Sequence, residues 1–349
     1  MGELTRLMTT SAADLLDHRF TPGRLGVDHR PPTSEGDVAA IRLGALCWNQ
    51  YTNWPDLLAA GQRADRLGYD TLWTWDHLYP IVGSSDGPIF EGWLTIAAWA
   101  QATENVRIGL MVGANTFREP ALTAKMATTL DHLSGGRAIL GIGGAWFEEE
   151  HLAYGIPYGS GFPERLRWLG EALPIIRGML RRERPTAAGP RYHAAAVRND
   201  PPPIQERLQI VVGGGGEQVT LKLVAQYADA NSVGGGLENV RRKEAILLQH
   251  CDTVGRDPSE IERTTFTGVV VIRDSREEAS RIYGSIFERN GRARIWENQP
   301  VGTPEDVAEA LAPFVEIGYR HLIADFPSPY DEETMTRLAT EVRPLLERA

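Results

Sequence analysis

"VRIGLMVGANTFREPALTAKMATTLDHLSGGRAILGIGG", Val106 to Gly144, is the stretch that decides the fold. A short apolar run with β character (106–114) leads into a stretch with helical spacing (120–134). Ser-Gly-Gly closes that helix, with Gly135 or Gly136 as the natural residue beyond its end, and a second apolar run follows at 137–143. Strand, helix and strand in this order make a parallel pair joined by a crossover helix.

The unit recurs on both sides. Upstream, strands are predicted at 41–47 and 70–75, with helices at 55–68 and 91–103. Downstream, a helix at 163–181 precedes a Pro-rich excursion that runs to about Glu206. Strands follow at 208–214, 228–235, 263–272 and 320–327, with helices at 217–227, 237–255, 275–289, 303–317 and 331–347. Eight strands, each followed by a helix, are the number that closes a barrel. The expected fold is therefore α/β, a (β/α)8 TIM barrel with an insertion between strands 4 and 5. An open doubly wound sheet is the alternative, but no GxGxxG follows the first strand. Residues 1–38 are rich in Pro, Gly and charge and show no period. They are expected to be a partly ordered N-terminal extension ahead of a barrel domain at 39–349.

Composition narrows the function. The 349 residues are 42% hydrophobic and 23% charged, enough for a sizeable core. With 36 basic and 46 acidic residues the net charge is -10, which argues against a nucleic-acid surface. Two cysteines make no disulfide framework, and no apolar run approaches the roughly 20 residues of a membrane span. The expected setting is the cytoplasm, with a small-molecule partner and neither membrane nor nucleic acid.

Barrel active sites lie at the C-terminal ends of the strands. Those ends are Cys47 to Gln50, Asp76-His77, Gly113 to Thr116, Gly143 to Trp146, Gly213 to Gly216, Gly234 to Gly236 and Asp325-Phe326. They hold many Gly and aromatic residues and few charges, which suits a flat apolar ligand approached closely by backbone. His77 can take or give a proton near neutrality, with Asp76 orienting it. The same pair also reads as an Asp cap beside an exposed His, and the sequence leaves the two readings nearly even. The four glycines 213–216, between a strand and a helix, favour an anion site over a plain turn. No GK[ST] follows them, so a P-loop is excluded. HxH, HExxH, Cys clusters and GxSxG are all absent, so no metal is expected. The chemistry is expected to belong to an organic cofactor.

"LGYDTLWTWDHLYP", the Val106–Tyr158 block and "LQIVVGGGGEQVTLKLVAQYADANSV" closely resemble the luciferase-like monooxygenase superfamily, within it the branch that uses deazaflavin coenzyme F420. The resemblance runs from about residue 41 to the C-terminus. It implies the luciferase-like barrel, a homodimer, and a ring bound in the mouth. It places Asp76 and His77 as the catalytic pair, with His77 facing the ring. Met111-Val112 falls at a cis non-prolyl peptide behind the ring, Gly144, Ala145 and Glu149 at the loop touching ring and tail, and Gly213, Gly214, Gly215 and Gly216 at the phosphate loop. One departure stands out. Where the sugar-phosphate dehydrogenases of the branch carry a Glu proton donor after the fourth-strand glycines, this chain has Trp146. No cluster of Lys and Arg for a sugar phosphate is evident either.

Glucose-6-phosphate is therefore not the expected substrate. Trp48, Trp75 and Trp146 point instead to an apolar or aromatic one. The expected activity is hydride transfer between coenzyme F420 and such a compound. The alternatives are an FMN-dependent two-component monooxygenase using reduced flavin and oxygen, and a flavin-binding protein without catalysis.

Overall fold

Eight apolar stretches of the predicted pattern form parallel strands in the computed structural model, which describes residues 40–291 and 299–348. The expected extension at 1–38 lies outside the described residues. The first half contains β1 (Arg42–Cys47), α1 (Trp54–Arg66), β2 (Thr71–Thr74), α2 (Gly92–Ala102), β3 (Arg107–Leu110), its short continuation β4 (Gly113–Ala114), α3 (Pro120–Leu133) and β5 (Ala138–Gly143). Two helices follow, α4 (Glu148–Ala153) and α5 (Phe162–Leu180). The Pro-rich insertion then forms an antiparallel hairpin of β6 (Ala187–Ala188) and β7 (His193–Ala194). The second half runs through β8 (Gln209–Gly213), α6 (Thr220–Tyr227), β9 (Ala230–Val233), α7 (Leu237–Val254), β10 (Glu262–Val269), β11 (Val271–Ile272) and α8 (Arg276–Arg289). It ends with β12 (Val301–Gly302), α9 (Pro304–Glu316), β13 (His321–Phe326), α10 (Glu332–Arg337), a π turn (Leu338–Val342) and α11 (Arg343–Arg348).

Round the barrel the order is β3-β2-β1-β13-β10-β9-β8-β5, and pairing of β5 with β3 closes it. Side chains alternate between the two faces, as a strand's period of two requires. On β13, Leu322, Ala324 and Phe326 pack outward against the helices, while Ile323 packs inward with Leu46, Trp73, Ile139 and Val211. Helix starts carry the expected chemistry. Asn53 caps α1 through the Asp56 N–H, and Thr303 with Asp306 forms a reciprocal capping box on α9. At the end of α3, Gly135 takes φ +66, the left-handed turn that its place in the sequence suggests.

Besides the split of the seventh strand into β10 and β11 and of the last helix by the π turn, two departures from the sequence reading bear on the mouth. The third strand, expected unbroken over 106–114, ends at Leu110 and resumes at Gly113, with a cis Met111–Val112 peptide between. The break lets Leu110 O approach Gly141 so closely that a Cβ there would lie 1.9 Å from it. The helix after β8 starts at Thr220 rather than 217, because the glycine loop continues past Gly216.

The N-terminal end of the barrel is closed by a polar layer inside the ring of strands. Trp73 Nε1–H donates to Thr71 Oγ1 (2.7 Å), which lies 2.8 Å from His321 Nε2. His321 Nδ1 is 2.9 Å from Glu262 Oε1, and Arg42 also bonds that oxygen. Gln209 Nε2 donates to Glu262 Oε2 (2.7 Å), and Arg107 donates to Gln209 Oε1 (2.8 Å). Every strand-end charge in this layer has a partner, as burial demands. With one end plugged by this network, a ligand can enter only at the other.

Candidate active site

A cavity of about 340 Å³ opens at the C-terminal end of the barrel. Most of its wall comes from four consecutive strands, β2, β3 with β4, β5 and β8, and Phe266 of β10 marks its far edge. Trp75, Asp76 and His77 stand on the β2 side, Met111 to Ala114 and Gly143 to Trp146 in the middle, and Gly213 to Gly216 on the β8 side. Phe162, Leu166 and Phe266 complete it. Among the described lining residues none is Lys or Arg.

His77 is fixed by a contact between distant parts of the chain. Its Nδ1 lies 2.9 Å from Glu150 Oε1, and Glu150 Oε2 accepts the Leu78 N–H at 2.7 Å. Glu150 is buried on the inner face of α4. A carboxylate only accepts, so Nδ1 carries the hydrogen and Nε2 is the nitrogen left for a ligand. Trp146 and Phe147 meet the imidazole edge-on, with centroids 5.5 and 6.2 Å away. Next to Glu150, buried His151 places Nδ1 on Phe147 O (2.6 Å) and Nε2 on Thr116 Oγ1 (2.7 Å). Burial pulls His151 below its usual range, which favours the neutral ring that this pattern requires.

Asp76 is buried and fully engaged. Arg118 holds both carboxylate oxygens (2.7 and 3.1 Å), and the Ala114 N–H donates to Oδ2 at 2.9 Å. Arg118 also pairs with Glu91 at 3.0 Å. Asp76 thus ties the end of β2 to β4 and sets the position from which His77 projects.

Behind the cavity, glycines leave the wall without side chains. A Cβ on Gly143 would lie 2.8 Å from a Val112 methyl, and one on Gly213 would lie 2.8 Å from both. Val112 therefore sits as a ridge between backbones that only glycine lets so near. Gly214 continues the loop at φ +112, and Lys243 runs alongside Gly215 with its ammonium on Glu217 Oε1 at 2.7 Å. Because Val112 is β-branched and stiff, Gly213→Ala is expected to force a shift costing about 1–3 kcal/mol. Chemical denaturation checks this, and wild-type stability in that variant would show the ridge to be loose.

The match to known proteins follows this geometry. Residues 24–299 fit the family model described as luciferase-like monooxygenase. The chain belongs to that family. A relative from Kribbella flavida named F420-dependent glucose-6-phosphate dehydrogenase is 26% identical over 342 residues, covering 88% of this chain and 99% of its own. Among solved structures, an F420-dependent secondary alcohol dehydrogenase in complex with an F420-acetone adduct superposes with a TM-score of 0.74 at 20% identity, covering 88% of this chain and 99% of its own. The oxygenating constituent of 3,6-diketocamphane monooxygenase from Pseudomonas putida, in complex with FMN, gives 0.70 at 20%, with the same coverage. The two structures share the luciferase-like barrel.

Within this luciferase-like framework most of the residues singled out from sequence meet at one cavity. Asp76, His77, Met111, Val112, Gly144, Ala145, Trp75, Trp146 and Gly213 to Gly216 all line it. Two do not. Trp48 is wholly buried, tilted against Trp75 with ring centroids 4.8 Å apart, so it backs the wall rather than facing a ligand. Glu149 is exposed and accepts from Ser85 Oγ at 2.8 Å, whereas its neighbour Glu150 turns inward. Glu150 and Arg118 were not singled out. For Glu150 a signal exists in the helical spacing of Phe147, Glu150 and His151, which share one face. Nothing local marks Arg118, whose partner lies 42 residues away.

Proposed function

We propose that this protein is an oxidoreductase that transfers a hydride between deazaflavin coenzyme F420 and an apolar or aromatic organic substrate. The observation that carries the reading is His77, held by Glu150 at the edge of a glycine-backed cavity. The fit to a flat ring rests on that wall, since a Cβ at Gly143 or Gly213 would already collide with Val112. When bound, the deazaflavin supplies or accepts the hydride.

The chain's own groups do the rest. His77 Nε2 gives or takes the proton that accompanies the hydride at the substrate oxygen, while Nδ1 stays on Glu150. Backbone N–H groups of Gly215 and Gly216, ahead of α6, receive the cofactor's phosphate, while the Gly214 N–H stays on Ser232 O. Glycine and alanine at 144 and 145 allow close approach, and Trp75, Trp146 and Phe162 exclude water beside the ring. The lack of Lys and Arg along the described wall, together with Trp146, favours an uncharged substrate over a sugar phosphate. The same reading takes the protein as a cytoplasmic homodimer acting on a small molecule. No described helix is long and apolar enough to cross a membrane.

The test is a parallel titration of the purified protein with coenzyme F420 and FMN. Preferential F420 binding is expected. Tight FMN binding without F420 binding would instead favour a flavin-dependent monooxygenase. Tight F420 binding with turnover unaffected by His77→Ala would remove His77 from the chemistry.

A further inference from the structure

The half of the barrel opposite the glycine wall contains a buried acid, Asp325, without a role in the ring site. Asp325 ends β13 with its side chain directed into the barrel, because it alternates with outward Ala324 and Phe326. Its ladder neighbours, Leu46 on β1 and Val269 on β10, both belong to the barrel's apolar interior. Asp325 is 8% exposed, and among the described residues no hydrogen bond or ion pair reaches its carboxyl group.

Its place relative to the cavity follows from strand order. The cavity wall stops at Trp75 on the β2 side and at Phe266 on β10. Only β1 and β13 lie between those strands, and they present Trp48 and Asp325 inward. Trp48 is buried and tilted against the back of Trp75, so Asp325 is the polar group on the arc between Trp75 and Phe266, just beyond the residues that line the cavity. A buried polar group without a partner is costly, and a ligand that satisfies it gains by doing so.

We propose that Asp325 is a substrate anchor whose carboxyl group hydrogen-bonds the oxygen of an aromatic ketone or alcohol lying across the Trp75 arc. Burial pushes this carboxyl up to about 7, so in this apolar setting it has a proton to donate near neutrality. The assignment deepens the proposed function by naming the substrate class, and it rests on that reading only for the cofactor-loaded form.

The test is calorimetric titration of the F420-loaded protein with acetophenone and, separately, with 1-phenylethylamine, in wild type, Asp325→Asn and Asp325→Leu. Acetophenone is expected to bind about tenfold more weakly to Asp325→Leu and within about threefold of wild type to Asp325→Asn, which keeps a neutral donor. F420 affinity is expected to be equal in all three. Undiminished acetophenone binding by Asp325→Leu, or none by wild type, overturns the anchor. Binding of 1-phenylethylamine that both substitutions abolish also overturns it, in favour of a site for a cation. Should wild type fail to bind F420, the proposed function falls, and the same titrations on the cofactor-free chain decide Asp325.

Discussion

Replacing Glu150 by Gln is expected to lower turnover about 100-fold while leaving F420 affinity within about twofold. The reason is the count of donors and acceptors around one side chain. Glu150 accepts from His77 Nδ1–H through one oxygen and from Leu78 N–H through the other. A Gln has one oxygen, so its NH2 must face one of these donors. If the amide oxygen keeps Leu78, the NH2 forces the neutral imidazole into the tautomer with hydrogen on Nε2. The free nitrogen facing the ligand then has the wrong polarity to accept a proton. His77→Ala, which removes the group itself, is expected to cost about 10³-fold, and adding Glu150→Gln to it little more, since the two act as a unit. The checks are reduction of F420 with 1-phenylethanol, the direction in which His77 Nε2 takes the alcohol proton, and the 15N chemical shifts of the His77 ring. Unchanged shifts together with full turnover in Glu150→Gln would show that the pair holds structure only.

How far the sequence carried can be judged residue by residue. All eight strands were legible, because in a closed parallel barrel each is a short apolar run bounded by a loop and a periodic helix. The residues of the site that lie at strand ends were legible for the same reason: strand order places Asp76, His77, Gly144 and Gly213 at one mouth. What failed were statements about facing. Glu149 and Glu150 differ by about 100° round α4, and only the partner across space selects one of them. Trp48 sits at a strand end, yet packing against Trp75 and Phe287 takes it out of reach of a ligand. Arg118 and Glu262 acquire their meaning from partners 42 and 59 residues away. Local pattern contains no record of such pairs.

Glu262 leads to the largest expected effect on stability. It accepts from His321, Arg42 and Gln209 at the closed end of the barrel, so Glu262→Ala leaves a half-buried guanidinium, a buried imidazole N–H and an amide without their acceptor. Breaking a fully buried ion pair from one side costs about 3–5 kcal/mol; with Arg42 31% and Glu262 24% exposed, a loss of about 2–3 kcal/mol is expected in chemical denaturation followed by tryptophan fluorescence. The pH dependence follows from the same contacts. Burial opposes the Glu262 charge, but the His321 hydrogen bond, the charge of Arg42 and the Gln209 hydrogen bond outweigh it and hold the carboxyl far below its ordinary value of 4.5. Burial likewise holds His321 below its ordinary 6.5. In both cases the unfolded chain binds a proton that the folded chain refuses. Stability is therefore fully present above about 6.5, begins to fall as unfolded His321 protonates, and falls more steeply below 4.5 as unfolded Glu262 protonates. Glu262→Gln keeps one acceptor and removes one of the two titrations. It should lose less stability at pH 7 than Glu262→Ala and show a shallower decline between pH 5 and pH 3, roughly where that carboxyl alone accounts for the difference. An acid slope in Glu262→Gln equal to that of wild type would show that the network does not govern acid unfolding.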